Sequence, residues 1–358
     1  MKRLNLLLSA AAAAGGLLAL QAMAQDFKKT IDRADSDMGN VIESLQKLNG
    51  KAIETLTPEE ARKQPTPADA VKALLAEEQE TPEPLKVKKI DVTYPGAAGP
   101  QPARVYIPDE KDSDDTAFPV IVYYHGGGFV IADINTYEAS AMSIAEKTNA
   151  IVVSIEYRRA PEAKFPASHE DAFAGYKWAL SKAAEWGGDP RKVAVLGESA
   201  GGNLAANVAI MARDQNVTMP VHMVLVYPIA DTDMNTESYQ DNASAVPLNK
   251  AMMEWFGKHA LGEAGMKSPM INLVKANLKG LPGATIITAE IDPLLNDGEK
   301  LRDALRKADV SVSYEQYSGA THEFFGMAAV VDDADDAQDF AANNMREAFE
   351  DVEDAPSR

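Results

Sequence analysis

The chain has 358 residues, no cysteine, and 54 acidic against 35 basic side chains, for a formal net charge of −19. The lack of cysteine excludes a thiol nucleophile, a thiolate metal site and any disulfide. So acidic a surface repels the phosphates of nucleic acids and the headgroups of anionic lipids, while a hydrophobic content of 46% is ample for one large core.

Met1-Lys2-Arg3 is a short positive start, residues 4–20 are apolar, and Ala22-Met23-Ala24 before Gln25 satisfies the small-residue cleavage rule. Residues 1–24 therefore read as a secretory signal peptide. Ser9, Gly15 and Gly16 interrupt the apolar run, which is short for a membrane span. The expectation is export, to a periplasm or the medium, with no stable membrane association after signal removal. Loss of Lys2 and Arg3 takes the net charge to −21. Residues 25–85 are polar and helical in pattern. Thr57-Pro58-Glu59-Glu60 and Thr66-Pro67-Ala68-Asp69 read as helix starts, with proline at the first helical position.

Strands are expected near 86–94, 103–107, 119–124, 150–156, 193–196, 223–227, 284–289 and 311–317. Helical stretches fall near 136–148, 170–185, 200–213, 297–308 and 335–350. Eight strands, the first two hairpin-like and the rest alternating with helices, predict an α/β fold. Its sheet is eight-stranded and mostly parallel, with helices on both faces. Between Asp231 and Leu281 the alternation lapses, and Met252-Met253-Glu254-Trp255-Phe256 is an apolar cluster the sheet does not need.

The chemistry-bearing motifs sit at strand ends. Pro119 to Tyr124 runs straight into His125-Gly126-Gly127-Gly128-Phe129. Three glycines let the backbone turn N–H groups toward one point, as the oxyanion of an acyl-transfer intermediate requires. No Lys-Ser/Thr follows them and no G-x-G-x-x-G opens a helix, which argues against a phosphate cradle. Farther on, Tyr157-Arg158-Arg159-Ala160-Pro161-Glu162 follows a strand, and Arg158, Glu162 and Asp171 are expected to form a polar network that holds the glycine loop. The strand Val193 to Leu196 breaks into Gly197-Glu198-Ser199-Ala200-Gly201-Gly202 and then becomes helical. In such a turn Gly197 and Gly201 allow a close chain crossing and Ser199 is lifted as a nucleophile. Ala200, next in the chain, would add an N–H to the oxyanion donors.

A serine nucleophile needs a base. Of five histidines, His125 belongs to the glycine loop, His169 begins a helix, His222 opens a strand and His259 lies in the 231–281 segment. His322 remains, in the loop after the apparent last strand. Three carboxylates compete to orient it after the strand 284–289. Asp297 sits at a helix start, where capping alone explains an acid. Glu290 ends the strand and reads as an anchor. Asp292, held out of helical geometry by Pro293, is the expected orienting acid. The order Ser, Asp, His is that of α/β-hydrolases. No metal is expected, because His322-Glu323 lacks the second histidine of H-E-x-x-H.

Together, His125-Gly126-Gly127-Gly128, Tyr157 to Glu162, Gly197 to Gly202, Asp292-Pro293-Leu294 and His322-Glu323-Phe324-Phe325 resemble the motifs of the hormone-sensitive-lipase family of α/β-hydrolases, the bacterial family IV carboxylesterases. The resemblance spans about residues 105–330. It implies an α/β-hydrolase fold over 86–358, with a helical cap built from residues 25–85 and an insertion at about 231–281. It also implies hydrolysis of short-chain carboxylic esters without a cofactor. Ser199, Asp292 and His322 would be the triad, with the N–H groups of Gly126, Gly127 and Ala200 as oxyanion donors. Phe129, Glu198, Met252, Trp255 and Phe256 are candidate pocket residues. Two positions depart from the usual pattern: Glu198, where many relatives carry Asp or Thr, and Glu323, where many carry Gly. The expected partner is a small-molecule ester; a homodimer stays open. An amidase or peptidase on the same triad is the alternative enzyme. A non-catalytic ligand-binding receptor of this fold is the alternative from another class, and three filled triad positions argue against it.

Overall fold

The structure, a computed structural model, describes residues 21–109 and 117–354. Most of the expected signal peptide lies outside the described residues, and residues 21–31 are helical. Eight strands are formed: β1 (Val87–Gly96), β2 (Gly99–Pro108), β3 (Phe118–Tyr124), β4 (Ile151–Ile155), β5 (Gly188–Glu198), β6 (His222–Val226), β7 (Gly283–Ile291) and β8 (Val312–Thr321). They make one sheet in the order β1-β2-β4-β3-β5-β6-β7-β8. β1 with β2 and β2 with β4 are antiparallel, and every later pairing is parallel.

The period of two along each strand sorts the core into two layers. Val120, Val122 and Tyr124 of β3, with Val193 and Val195 of β5, face one side. There they meet helices α4 (Ala167–Lys182), α5 (Ala200–Asp214) and α7 (Leu295–Lys307) through Phe173, Tyr176, Leu204, Val208, Leu301 and Leu305. Ile121, Tyr123, Ala194 and Leu196 face the other side. Their partners are α3 (Glu138–Thr148) and α8 (Asp332–Asp354), with Ile144, Ala337, Ala341 and Met345. Helices α1 (Ser36–Lys47) and α2 (Pro67–Glu78) join this second layer through Val41, Ile42, Val71 and Leu74. Covering both faces is what makes the central strands continuous apolar runs.

The N-terminal helix starts behave as their sequences require. Thr57 and Thr66 each accept from the backbone N–H three residues on, and Glu60 and Asp69 each reach back to the cap residue. The 231–281 segment is broken into short helices, including α6 (Lys250–Phe256). It is tied to the N-terminal region by three hydrogen bonds: Trp255 Nε1 to Leu56 O at 3.1 Å, Val246 N to Thr30 Oγ1 at 3.1 Å, and Arg33 Nη1 to Asn242 Oδ1 at 2.8 Å.

Two boundaries differ from the sequence expectation. β5 begins at Gly188 because that residue pairs with Phe118 beyond a register shift. β8 continues to Thr321, since an irregularity after Ala289 lets Ile291 pair with Thr321. His322 therefore follows the strand directly rather than hanging from a loop that starts at residue 318.

Candidate active site

Three strand ends converge. At the end of β5, Ser199 has φ 58° and ψ −117°, a region that costs a non-glycine residue on the order of 1–3 kcal/mol. The turn is held by Ser199 N donating to Val226 O at 2.9 Å and Ile229 N donating to Ser199 O at 3.2 Å. A Cβ on Gly197 would overlap the Gly201 carbonyl, and one on Gly201 would overlap the Tyr124 carbonyl. Only glycine permits this crossing of β3, β5 and the start of α5.

His322 Nε2 lies 3.0 Å from Ser199 Oγ, and His322 Nδ1 lies 2.6 Å from Asp292 Oδ2. A carboxylate on Nδ1 fixes the N–H there and leaves Nε2 as the acceptor for the serine hydroxyl. Asp292 is itself fixed, with Oδ1 accepting from Leu294 N at 2.8 Å and its carbonyl accepting from Asn242 Nδ2 at 3.1 Å. Burial works against a charged imidazole, but the Asp292 carboxylate outweighs it, so the pKa of His322 stands above the ordinary histidine value.

The competing acids serve elsewhere. Glu290 accepts from Gly319 N at 3.0 Å. Asp297 does not cap its helix from outside, as its place in the sequence suggests. It is fully buried, accepting from Ala230 N at 3.0 Å and Asp231 N at 2.8 Å, and burial pushes its pKa up to about 8.

A cavity of about 970 Å³ opens in front of Ser199 and His322. Its wall includes Gly127 and Gly128 but not Gly126. Gly127 and Gly128 take φ of 93° and 58°, whereas the side where Gly126 would carry a Cβ is filled by the Tyr137 hydroxyl. Ile53, Pro65, Val246, Met252, Met253 and Phe256 contribute the apolar wall, drawn from both the N-terminal region and the 231–281 segment.

The candidate pocket residues divide. Met252 and Phe256 line the cavity. Trp255 points away, donating to the Leu56 carbonyl, and Phe129 packs on His169 with ring centroids 5.5 Å apart. Glu198 lies fully buried behind Ser199, accepting from the hydroxyls of Tyr123 and Tyr227. Burial pushes Glu198 up to about 7, against those two hydroxyls. His125 is buried and stacks on Tyr157, with ring centroids 4.3 Å apart.

The expected network behind the glycine loop is only partly formed. Arg158 Nε pairs with Asp171 Oδ2 at 2.6 Å, but Glu162 is taken by Arg62 at 2.8 and 2.7 Å. Arg62 also donates to Val130 O at 2.8 Å and Ala160 O at 2.7 Å, while the glycine loop itself is held by the Tyr157 hydroxyl, which donates to His125 O at 2.8 Å, and by Ala160 N, which donates to Phe129 O at 2.8 Å. Sequence reasoning missed the tyrosines. Tyr123, Tyr137 and Tyr227 surround the site, and the two departures from the family pattern, Glu198 and Glu323, are the residues their hydroxyls bind. Two unusual carboxylates beside motif residues were the available signal. Among the described residues no group of acidic or histidine side chains is placed to hold a metal ion.

Comparison with known proteins agrees with this layout. A family model described as alpha/beta hydrolase fold matches residues 121–326. Esterase LipI of Mycobacterium tuberculosis is 35% identical over 272 residues, 75% of this chain and 85% of that protein. Carboxylesterase NlhH of the same organism is 37% identical over 258 residues, 71% of this chain and 80% of its own. The hyperthermophilic esterase of Pyrobaculum calidifontis superposes with a TM-score of 0.76 at 33% identity, covering 85% of this chain and 96% of that one.

Proposed function

From a chain that belongs to the hormone-sensitive-lipase family of α/β-hydrolases and is a carboxylic ester hydrolase, we propose the following site and substrate range: Ser199, His322 and Asp292 hydrolyse short-chain carboxylic esters through an acyl-enzyme. The observation that carries the reading is the unbroken hydrogen-bond chain from Ser199 Oγ through His322 to Asp292 at the floor of the cavity. Ser199 Oγ attacks the ester carbonyl as His322 Nε2 takes its proton, and Asp292 stabilises the imidazolium. The oxyanion is received by backbone N–H groups of the glycine loop and of Ala200 at the start of α5, whose N-terminal dipole adds to them. That Gly127 and Gly128 line the cavity supports Gly128 beside the expected Gly126 and Gly127 as a donor from this loop. His322 then hands its proton to the leaving alkoxide, and water attacks the acyl-Ser199 by the reverse use of the same groups.

The N-terminal region and the 231–281 segment act as the cap, and Met252, Met253 and Phe256 limit the substrate. Export through the N-terminal signal places the enzyme in a periplasm or the medium. The test is turnover of p-nitrophenyl butyrate by the purified chain and by Ser199→Ala. The variant is expected to fold and to lose nearly all activity, keeping at most the roughly 10³–10⁴-fold over water that donors and binding supply. Turnover by the variant near that of the parent overturns the reading.

A further inference from the structure

The triad does not use Glu323, yet Glu323 sits beside it. Its φ of 71° places a side chain where glycine would be the easier residue, so the carboxylate is held at a local backbone cost. Tyr137 donates its hydroxyl to Glu323 Oε1 at 2.6 Å, which fixes the carboxylate between His322 and the glycine loop that Tyr137 also touches. Burial pushes the Glu323 carboxyl above its usual value, against the pull of His322 and of the Tyr137 hydroxyl, and Glu323 lines the same cavity as Ser199 and His322.

The cations on that wall are mostly engaged. Arg62 is committed to Glu162 and two carbonyls, and Arg159 donates to the Ala132 carbonyl and lies 3.7 Å from Glu156. Lys51 is exposed. Glu54, also on the wall, has a buried carboxylate oxygen without a partner. Phe27, Tyr137 and Phe256 add aromatic rings, whose faces attract a desolvated cation.

We propose that Glu323 selects esters by charge: the cavity favours substrates that carry a cationic group, above all a quaternary ammonium, over neutral isosteres and against anionic ones. This rests on the esterase reading of the site and adds the substrate class to it. The cation can sit on the alcohol or on the acyl arm, and the two arms are tested separately. The acidity of the whole chain works in the same direction, raising the local concentration of cations.

The experiment compares kcat/KM at mildly alkaline pH and low ionic strength for two matched pairs. The first is acetylcholine against the acetate in which a tert-butyl group replaces the ammonium. The second is the p-nitrophenyl esters of trimethylammonio-butyrate and its tert-butyl counterpart. In at least one pair the cationic member is expected to win by about five- to tenfold, with the ratio shrinking at high salt. Glu323→Gln and Glu323→Gly are expected to bring the ratio to near one. Glu323→Lys should turn it below one and raise turnover of a carboxylate-bearing ester, which a merely structural role would not do. Hydrolysis of the neutral members with no cationic preference in either pair, or a preference that survives Glu323→Gln, overturns this proposal and leaves the esterase reading standing. Failure to hydrolyse any of the esters overturns the esterase reading itself.

Discussion

Tyr227 faces His322 and a buried acid at once: its ring centroid lies 4.4 Å from that of His322, and its hydroxyl donates to Glu198 at 2.5 Å. Glu198, next to Ser199, is thereby linked to the ring on which the His322 imidazole rests. Tyr227→Phe leaves the ring and removes a donor, so Glu198 loses one of the two tyrosine hydroxyls it accepts from. The expected loss is about 1–3 kcal/mol of stability, the penalty for a buried group deprived of a partner. Urea denaturation reads this directly, and an unchanged midpoint refutes it.

Asp292 and Asp297 lie five residues apart and separate two kinds of defect. Asp292→Asn is expected to lower kcat about 10⁴-fold by mis-setting the His322 tautomer. Asp297→Asn keeps both backbone N–H groups satisfied through the amide oxygen, and kcat should fall less than about tenfold. Stopped assays on the two variants under saturating ester decide the matter; reversed phenotypes exchange the roles.

Asp297 also makes stability depend on pH. Its folded pKa, about 8, lies above the usual aspartate value of 3.8, so the folded protein holds a proton that the unfolded chain releases. Stability from this group is full below the unfolded value and declines as pH rises through that window, by up to about 1.4 kcal/mol per unit. Glu198, raised to about 7, acts with the same sign. Denaturation midpoints should therefore drop from pH 5 to pH 8, and Asp297→Asn should flatten the drop. Equal pH slopes for parent and variant count against a buried, protonated Asp297.

Arg62 ties the N-terminal region to the loop behind the glycine turn. Arg62→Met keeps most of the aliphatic stem but breaks the pairing with Glu162 and two charge-assisted bonds to carbonyls. A loss of about 2–3 kcal/mol is expected. Limited proteolysis should then cut first within residues 25–85. Cleavage at the same rate in parent and variant disproves the tether.

Chain length reports on the wall formed by Met252, Met253 and Phe256. Each methylene buried in the slot adds about 0.8 kcal/mol until the slot ends. Activity on linear p-nitrophenyl esters should peak at roughly four to six carbons. A maximum beyond about ten carbons, or activation at an emulsion surface, shows a lipase instead.

What could be read in advance follows from where the information is local. The apolar runs of β3 and β5, each ending in a glycine motif, carry the sheet in their own residues. The order Ser199, Asp292, His322 could be read because each residue follows a strand, and parallel strands end on one edge. The partner of Glu162 could not, because Arg62 is 100 positions away and no periodicity joins them. The direction of Trp255 is hidden for a related reason. An apolar cluster says that a helix buries a face, not which face, and a bond to Leu56 O turned the indole from the cavity. The tyrosines were hidden by their own hydrophobicity, since in a buried strand Tyr123 reads as another core residue.

Ser199, Asp292, His322 and the glycine loop hang from strand ends, whereas the cavity's outer wall is borrowed from two stretches far apart in sequence. Diversity can therefore be concentrated at positions such as Ile53, Val246, Met252 and Met253, which touch the cavity without holding Ser199, Asp292 or His322. A combinatorial library confined to these positions would explore new selectivities while the strand ends that carry Ser199, Asp292 and His322 stay as they are, whereas randomising β5 or β8 would unfold most of its clones.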